Sequence, residues 1–416
     1  MNFPFERHTL PNGLRVLIQP DNQTPMVAVN LLYNVGARDE DPEWTGLAHL
    51  LEHLMFEGSK HIPFYDQPLQ LAGGINNAFT NNDITNYYCV LPAANLRTAL
   101  WLEADRMCNL NLSEEKVEVQ RKVVIEEFRQ RYLNQPYGDL LALTRELSYT
   151  QHPYRWSTIG KSIEHIEQVP VSVIRGFYEQ HYAPNRCILV LSGNLDPQQA
   201  LREVEYWFGD LPSRALAKKK PLPAEPPQTQ ARLQQVFRPV PEAALWMGWP
   251  MPGRNHPDFK ALDLFSDVLS GSAGGYTMDE LIRKRGLLNQ GGFYVSGSAD
   301  PGQFLFSATL REGKKNQEVA QEIQAFLFEI AEERLHADDL HRATQKMATS
   351  NAFSDANVQN RALRLAMAEW LGGAESLSTE WDEYASLGVA DVQAAVRRYL
   401  KPECSSTLLY ETETNA

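Results

Sequence analysis

The sequence predicts an α+β fold made of two homologous domains, each an antiparallel-rich sheet packed with helices. Three observations lead there. A proline-rich, charged stretch, Lys218-Lys-Lys-Pro-Leu-Pro-Ala-Glu-Pro-Pro227, separates two halves of similar length. Each half opens with two β-patterned runs and a helix, and each closes with a helix, an X-Pro step and an apolar strand, so internal duplication is the simplest account. Strands and long helices also lack the regular βαβ spacing of a doubly wound sheet. The expected divisions are residues 1–215, a linker at 216–230, and residues 231–416.

In the first half the β pattern covers Leu14 to Ile18 and Met26 to Tyr33. A helix follows from about Thr45, a plausible N-cap, with Leu50, Leu51, Leu54 and Met55 covering its apolar side. Gly73-Gly74 reads as a turn before a strand ending near Thr80. Ser113 is an N-cap with Glu114-Glu115 in the first turn, and a long helix runs from there through Phe128. A helix at Val171 to Tyr182 passes through Ala183-Pro184 into the strand Cys187 to Leu191. The second half repeats this order. Strands are expected at Leu233 to Phe237 and Ala243 to Trp249, and a helix from about His256 to Leu269. A closing helix at Val389 to Leu400 then leads through Lys401-Pro402 into Ser406 to Tyr410.

At 416 residues the chain is too long for one ordinary core, and 43% hydrophobic residues support globular folding. No stretch of about 18 apolar residues occurs, and the first residues lack a basic region followed by an apolar one, so a cytoplasmic protein without a membrane partner is expected. Cys89, Cys108, Cys187 and Cys404 are scattered with no C-x-x-C pair, which points to buried thiols rather than a disulfide framework or a cysteine zinc site. The net charge of -13 argues against nucleic acid as a partner and mildly favours neutral or basic polypeptides.

The chemistry sits in Gly46-Leu-Ala-His-Leu-Leu-Glu-His-Leu-Met-Phe56. His49 and His53 are four apart with Glu52 between them, the H-x-x-E-H order of an inverted zinc-peptidase motif. At 3.6 residues per turn the three share one helical face, so two imidazoles can grip one metal with the carboxylate beside it. Zn2+ suits such ligands and leaves a position for water, whose pKa falls to roughly 7 on the metal. Glu52 could then take its proton. The second half has Leu262-Asp-Leu-Phe-Ser-Asp267 in the corresponding place, without an imidazole pair, so only one half can hold this metal.

Two histidines make an incomplete site, and a third ligand is expected from another helix carrying an inward carboxylate. Glu127, three residues after Val124 and four after Val123, shares their expected core-facing side, whereas Glu126 points toward solvent. Spacing alone leaves Glu127 open between ligand and surface charge.

The stretch Gly46 to Ser59, together with Arg121-Lys-Val-Val-Ile-Glu-Glu127, resembles the inverzincin peptidases: pitrilysin, insulin-degrading enzyme and mitochondrial processing peptidase. The likeness covers essentially the whole chain. It implies a zinc metalloendopeptidase whose third ligand is a glutamate well downstream of the second histidine, a role it carries to Glu127 at 74 residues beyond His53. Gly73-Gly-Ile-Asn-Asn-Ala-Phe-Thr80 is similar to the family's N-A-x-T edge strand, where an extended peptide adds as a further strand. That resemblance makes Asn77 and Ala78 the substrate-contact candidates.

Two departures qualify the likeness. Gln120 stands where members often have a second glutamate, which implies altered pH dependence rather than loss of zinc. In the second half, Ile282 and Asn289 occupy the places of an arginine and a tyrosine that help hold the substrate carbonyl. Arg283, Arg285 and Tyr294 are out of register, and one residue rotates a helical side chain by about 100°. The resemblance therefore implies the short, dimer-forming branch, with this chain as the zinc-bearing subunit of a heterodimer closing a chamber around peptides. Otherwise it forms a homodimer. A noncatalytic scaffold and a zinc-dependent peptide-binding subunit are the rival readings.

Overall fold

The computed structural model describes residues 4–215, 221–271 and 274–413. The first sheet contains β1 (Glu6–Thr9), β2 (Arg15–Pro20), β3 (Met26–Tyr33), β4 (Ile75–Thr80), β5 (Thr85–Pro92) and β6 (Cys187–Gly193). Their order is β1-β2-β6-β3-β5-β4, with β2 and β6 parallel and every other pair antiparallel. Nearly every residue of β2, β3 and β6 is buried, because both faces of this sheet are covered. That two-sided burial is why these segments read as continuous Val, Ile and Leu runs instead of alternating ones.

The second sheet contains β7 (Arg232–Arg238), β8 (Ala244–Met251), β9 (Leu288–Val295), β10 (Gly302–Leu310) and β11 (Ser406–Thr412), in the order β7-β11-β8-β10-β9. Its one parallel pair is β7 with β11. Set β1 aside and the two orders coincide strand for strand, the parallel pair included. Two homologous α+β sheets, each flanked by helices, are therefore present, and β4 and β9 are equivalent edge strands.

The compact units differ from the contiguous halves expected at 1–215 and 231–416. One unit comprises Met1–Arg129, Trp156–Leu222 and Asn351–Ser378; the other comprises Gln130–Arg155, Pro223–Ser350 and Thr379–Ala416. The cause is a reciprocal exchange of apolar helix faces. The helix Val358–Leu371, late in the sequence, sets Val358, Ala362, Leu365 and Ala366 against Leu17, Ala28, Leu32, Ile188 and Val190 of the first sheet. The helix Leu140–Ser148, early in the sequence, sets Leu140, Leu143 and Leu147 against Ala244, Trp246, Leu408 and Tyr410 of the second. Each sheet would otherwise leave one apolar face in water.

Part of the expected linker, 216–220, lies outside the described residues. Beyond it, Glu225 accepts the backbone N–H groups of Thr150, Gln151 and His152 at 2.8, 2.9 and 2.9 Å, so that part of the stretch is bonded into the second unit. All four cysteines are free thiols, with Cys89 and Cys187 buried and Cys108 and Cys404 only partly so. Among the described residues no helix is long and apolar enough to cross a membrane.

Leu365→Ala is expected to destabilise the protein by roughly 2–5 kcal/mol, as for other fully buried leucines, and to act on the first sheet although it lies late in the sequence. Hydrogen exchange checks this: β3 should lose protection before β8 does, and the reverse order would contradict the helix exchange.

Candidate metal centre

The motif helix, Leu47–Leu54, is entered through Gly46 in the left-handed region (φ 89°), where an added Cβ would sit 2.6 Å from the Ile159 carbonyl oxygen. Glycine is needed there on both counts. Thr45, the expected N-cap, is not the cap; its hydroxyl lies 2.9 Å from His165 Nδ1 and accepts the Lys161 N–H at 2.9 Å. The amides at the start of the helix, which have no partner within it, are instead satisfied from outside. Buried Glu40 accepts the Gly46 N–H at 2.9 Å and the Ala48 N–H at 2.8 Å, and also the Trp156 indole N–H at 3.1 Å. Burial pushes the Glu40 carboxyl up to about 8 despite these bonds, so it fixes the turn that carries His49 through hydrogen bonds rather than through a full negative charge. Leu50, Leu51, Leu54 and Met55 are fully buried, so the polar face of the helix has one orientation only.

The second helix, Glu114–Phe128, begins as expected, with Ser113 accepting the Lys116 N–H. Val117 and Val124 are fully buried, but Val123 is 44% exposed, so the inward stripe is Val117, Gln120, Val124 and Glu127 and excludes Val123. Glu126 faces solvent.

These two helices bring His49, His53 and Glu127 together. Their ligand atoms all lie within 4.8 Å of one another. Glu127 Oε2 is 3.4 Å from His53 Nε2 and 3.8 Å from His49 Nε2, and all three side chains are mostly buried. Two donors each about 2.1 Å from a tetrahedral ion sit roughly 3.4 Å apart, so the spacing and the N, N, O donor set fit Zn2+. Burial is the largest influence on His53 and lowers its pKa, yet the bond to Glu127, the charges of Glu127 and Glu52 and the Gln120 side chain together hold it above the usual imidazole value. Gln120 also donates its amide to Glu57 at 2.5 Å, and Lys116 caps the Glu57 carbonyl, so the helix carrying Glu127 is tied to the end of the motif helix.

Beside this cluster, Glu52 Oε2 accepts the hydroxyl of Thr80 at 2.5 Å. Thr80 is the threonine of the N-A-x-T likeness, but that resemblance gives a role only to Asn77 and Ala78, and nothing in the spacing pairs Thr80 with Glu52. Beneath it, burial pushes the Tyr87 and Tyr182 hydroxyls far above the ordinary tyrosine value, with the Glu52 charge adding to both.

Comparison with known proteins decides the family. A model described as "Insulinase (Peptidase family M16)" matches residues 15–150, and one described as "Peptidase M16 inactive domain" matches residues 169–347. The zinc protease PqqE of Helicobacter pylori is 30% identical across 97% of this chain and 92% of its own length. The chain belongs to the M16 peptidase family. A crystal structure of a protease from Helicobacter pylori matches with a TM-score of 0.93 at 29% identity, covering 98% of this chain and 99% of that one. Pitrilysin matches with a TM-score of 0.77 at 18% identity over 99% of this chain and 45% of its own, a likeness of fold alone.

In this M16 chain the substrate-contact candidates lie on edge strand β4. Alternation puts Ala78 on the side of Thr80 and the motif helix, and Asn77 on the side of Phe79, which packs on the cluster under the helix Val358–Leu371. The Asn77 side-chain oxygen accepts the Ala78 N–H at 2.8 Å. Within the second unit, Ile282 packs on the core and Asn289 donates to Glu242 and to the Leu310 carbonyl, at 2.8 and 3.1 Å. Arg283 pairs with Asp279 at 2.9 Å and Arg285 with Glu329 at 2.6 Å, which gives both arginines structural partners.

Zinc held by His53 would have to displace the proton of that ring. Because that proton is held above the ordinary imidazole value of 6.5, zinc affinity measured against a competing chelator should already be falling as the pH drops toward 6.5. An affinity that stays level until well below 6.5 would contradict the placement of Glu127.

Proposed function

We propose that this chain is a zinc metalloendopeptidase in which His49, His53 and Glu127 hold Zn2+ and Glu52 is the general base. The observation that carries the reading is the convergence of these four side chains from two helices beside an open strand edge. Zinc there would polarise the peptide carbonyl, stabilise the oxyanion and acidify water. Glu52 takes the proton from the attacking water and returns it to the leaving amide nitrogen. The edge of β4 binds an extended peptide by main-chain hydrogen bonds, with Ala78 and Asn77 at the contact, which selects for peptides and unfolded segments.

We further propose that the active assembly pairs this chain with a paralogue that supplies an arginine and a tyrosine, and that the two close a chamber around the substrate. Ile282 and Asn289, in the places of those side chains, support the heterodimer over a homodimer.

One experiment addresses these claims together. The zinc-loaded chain and its Glu52→Gln variant are assayed on a quenched peptide, each with and without a related partner chain. Glu52→Gln should keep one zinc per chain and lose turnover by about 10²-fold or more, the lower range of a general-base contribution, while the partner should raise the rate of the parent alone. Retained cleavage by Glu52→Gln would refute the base, and a full rate without any partner would refute the heterodimer. Zinc uptake without cleavage under every condition would favour the peptide-binding reading.

A further inference from the structure

The contact between Thr80 and Glu52 joins the substrate-side strand to the proposed base. Thr80 has one hydroxyl proton and two acceptors near it, the Glu52 carboxylate at 2.5 Å and the Thr85 hydroxyl oxygen at 3.4 Å. The proton goes to the carboxylate, which is nearer and charged. Thr85 sends its own proton to the Val35 carbonyl at 3.0 Å, so its oxygen does not donate back to Thr80. Thr85 is fully buried and sits directly opposite Thr80 in the β4–β5 ladder. Thr80 therefore rests on a fixed neighbour, with its hydroxyl aimed across to the motif helix.

Glutamate has three rotatable side-chain bonds, and holding one in a single conformation costs entropy that specific contacts must offset. A β-branched threonine is well suited to that task, because its χ1 is restricted and its oxygen direction is set by the strand. We propose that Thr80 is a positioning residue that holds the Glu52 carboxylate in its working orientation, so that the strand which takes the peptide also aligns the base. This inference rests on the peptidase reading above and adds to it a residue that touches neither metal nor scissile bond.

The test compares the parent with Thr80→Val, which keeps shape and loses the hydroxyl, and Thr80→Ser, which keeps the hydroxyl. Each full-length protein is assayed for zinc affinity and for kcat and KM on a quenched peptide, and the zinc-free form of each is crystallised to observe Glu52. Thr80→Val should lose about tenfold or more in kcat, the scale of a hydrogen bond to a charged group, with KM and zinc affinity unchanged. Thr80→Ser should recover most of that loss. Glu52 should hold one rotamer in the parent and the serine variant and spread over several in the valine variant. Parental kcat in Thr80→Val, a serine variant as slow as the valine one, or a single Glu52 rotamer in all three would overturn the proposal. Should the parent itself cleave nothing, the functional reading fails, and the Glu52 rotamers alone still decide this one.

Discussion

Everything at this site depends on the Glu127 carboxylate reaching two imidazoles that belong to a different helix. Three donor atoms within 4.8 Å, mostly buried, form a polar cluster that is costly without a cation among them. The surrounding structure is arranged to keep it assembled. Glu40 grips the first turn of the motif helix, Gln120 and Lys116 tie its end to the helix of Glu127, and buried leucines fix its rotation. The charge of Glu127 favours the protonated form of His53 in the metal-free protein, and the same charge would favour a divalent ion in its place.

The duplicated sheet explains why one such cluster, and not two, occurs among the described residues. Both units share a strand order and an edge strand, yet only the first has imidazoles on the helix that follows its second long strand. In the second unit the corresponding helix, Phe259–Ser270, is packed into the core through Leu262, Leu264, Phe265 and Leu269. The model described as an inactive peptidase domain matches residues 169–347, a range that includes this helix.

Much of this was legible in the residues. Met26 to Tyr33 was bounded to the residue, and the closing helices and strands of both halves fell within one or two residues of their positions, because X-Pro steps and apolar runs mark them sharply. His49, Glu52 and His53 could be read from helical spacing, and Glu127 from resemblance joined to its inward stripe. What escaped are contacts that helical or strand periodicity does not mark, whether near or far in sequence. Glu40 caps a helix six residues away through its side chain, Thr80 meets Glu52 across 28 positions, and the helices Leu140–Ser148 and Val358–Leu371 cover sheets made mainly by the other half of the sequence. Val123 was misplaced because a stripe drawn from valines alone ignores Gln120, the polar residue that shares the inward face.

X-ray absorption at the zinc edge of the purified, zinc-loaded chain tests the central claim most directly. Two imidazole nitrogens and oxygen ligands at about 2.0–2.2 Å are expected, with the imidazole scattering halved in a His53→Ala variant and one oxygen lost in Glu127→Ala. Sulfur scattering near 2.3 Å, or a spectrum unchanged by both substitutions, would place the metal elsewhere and contradict the centre described.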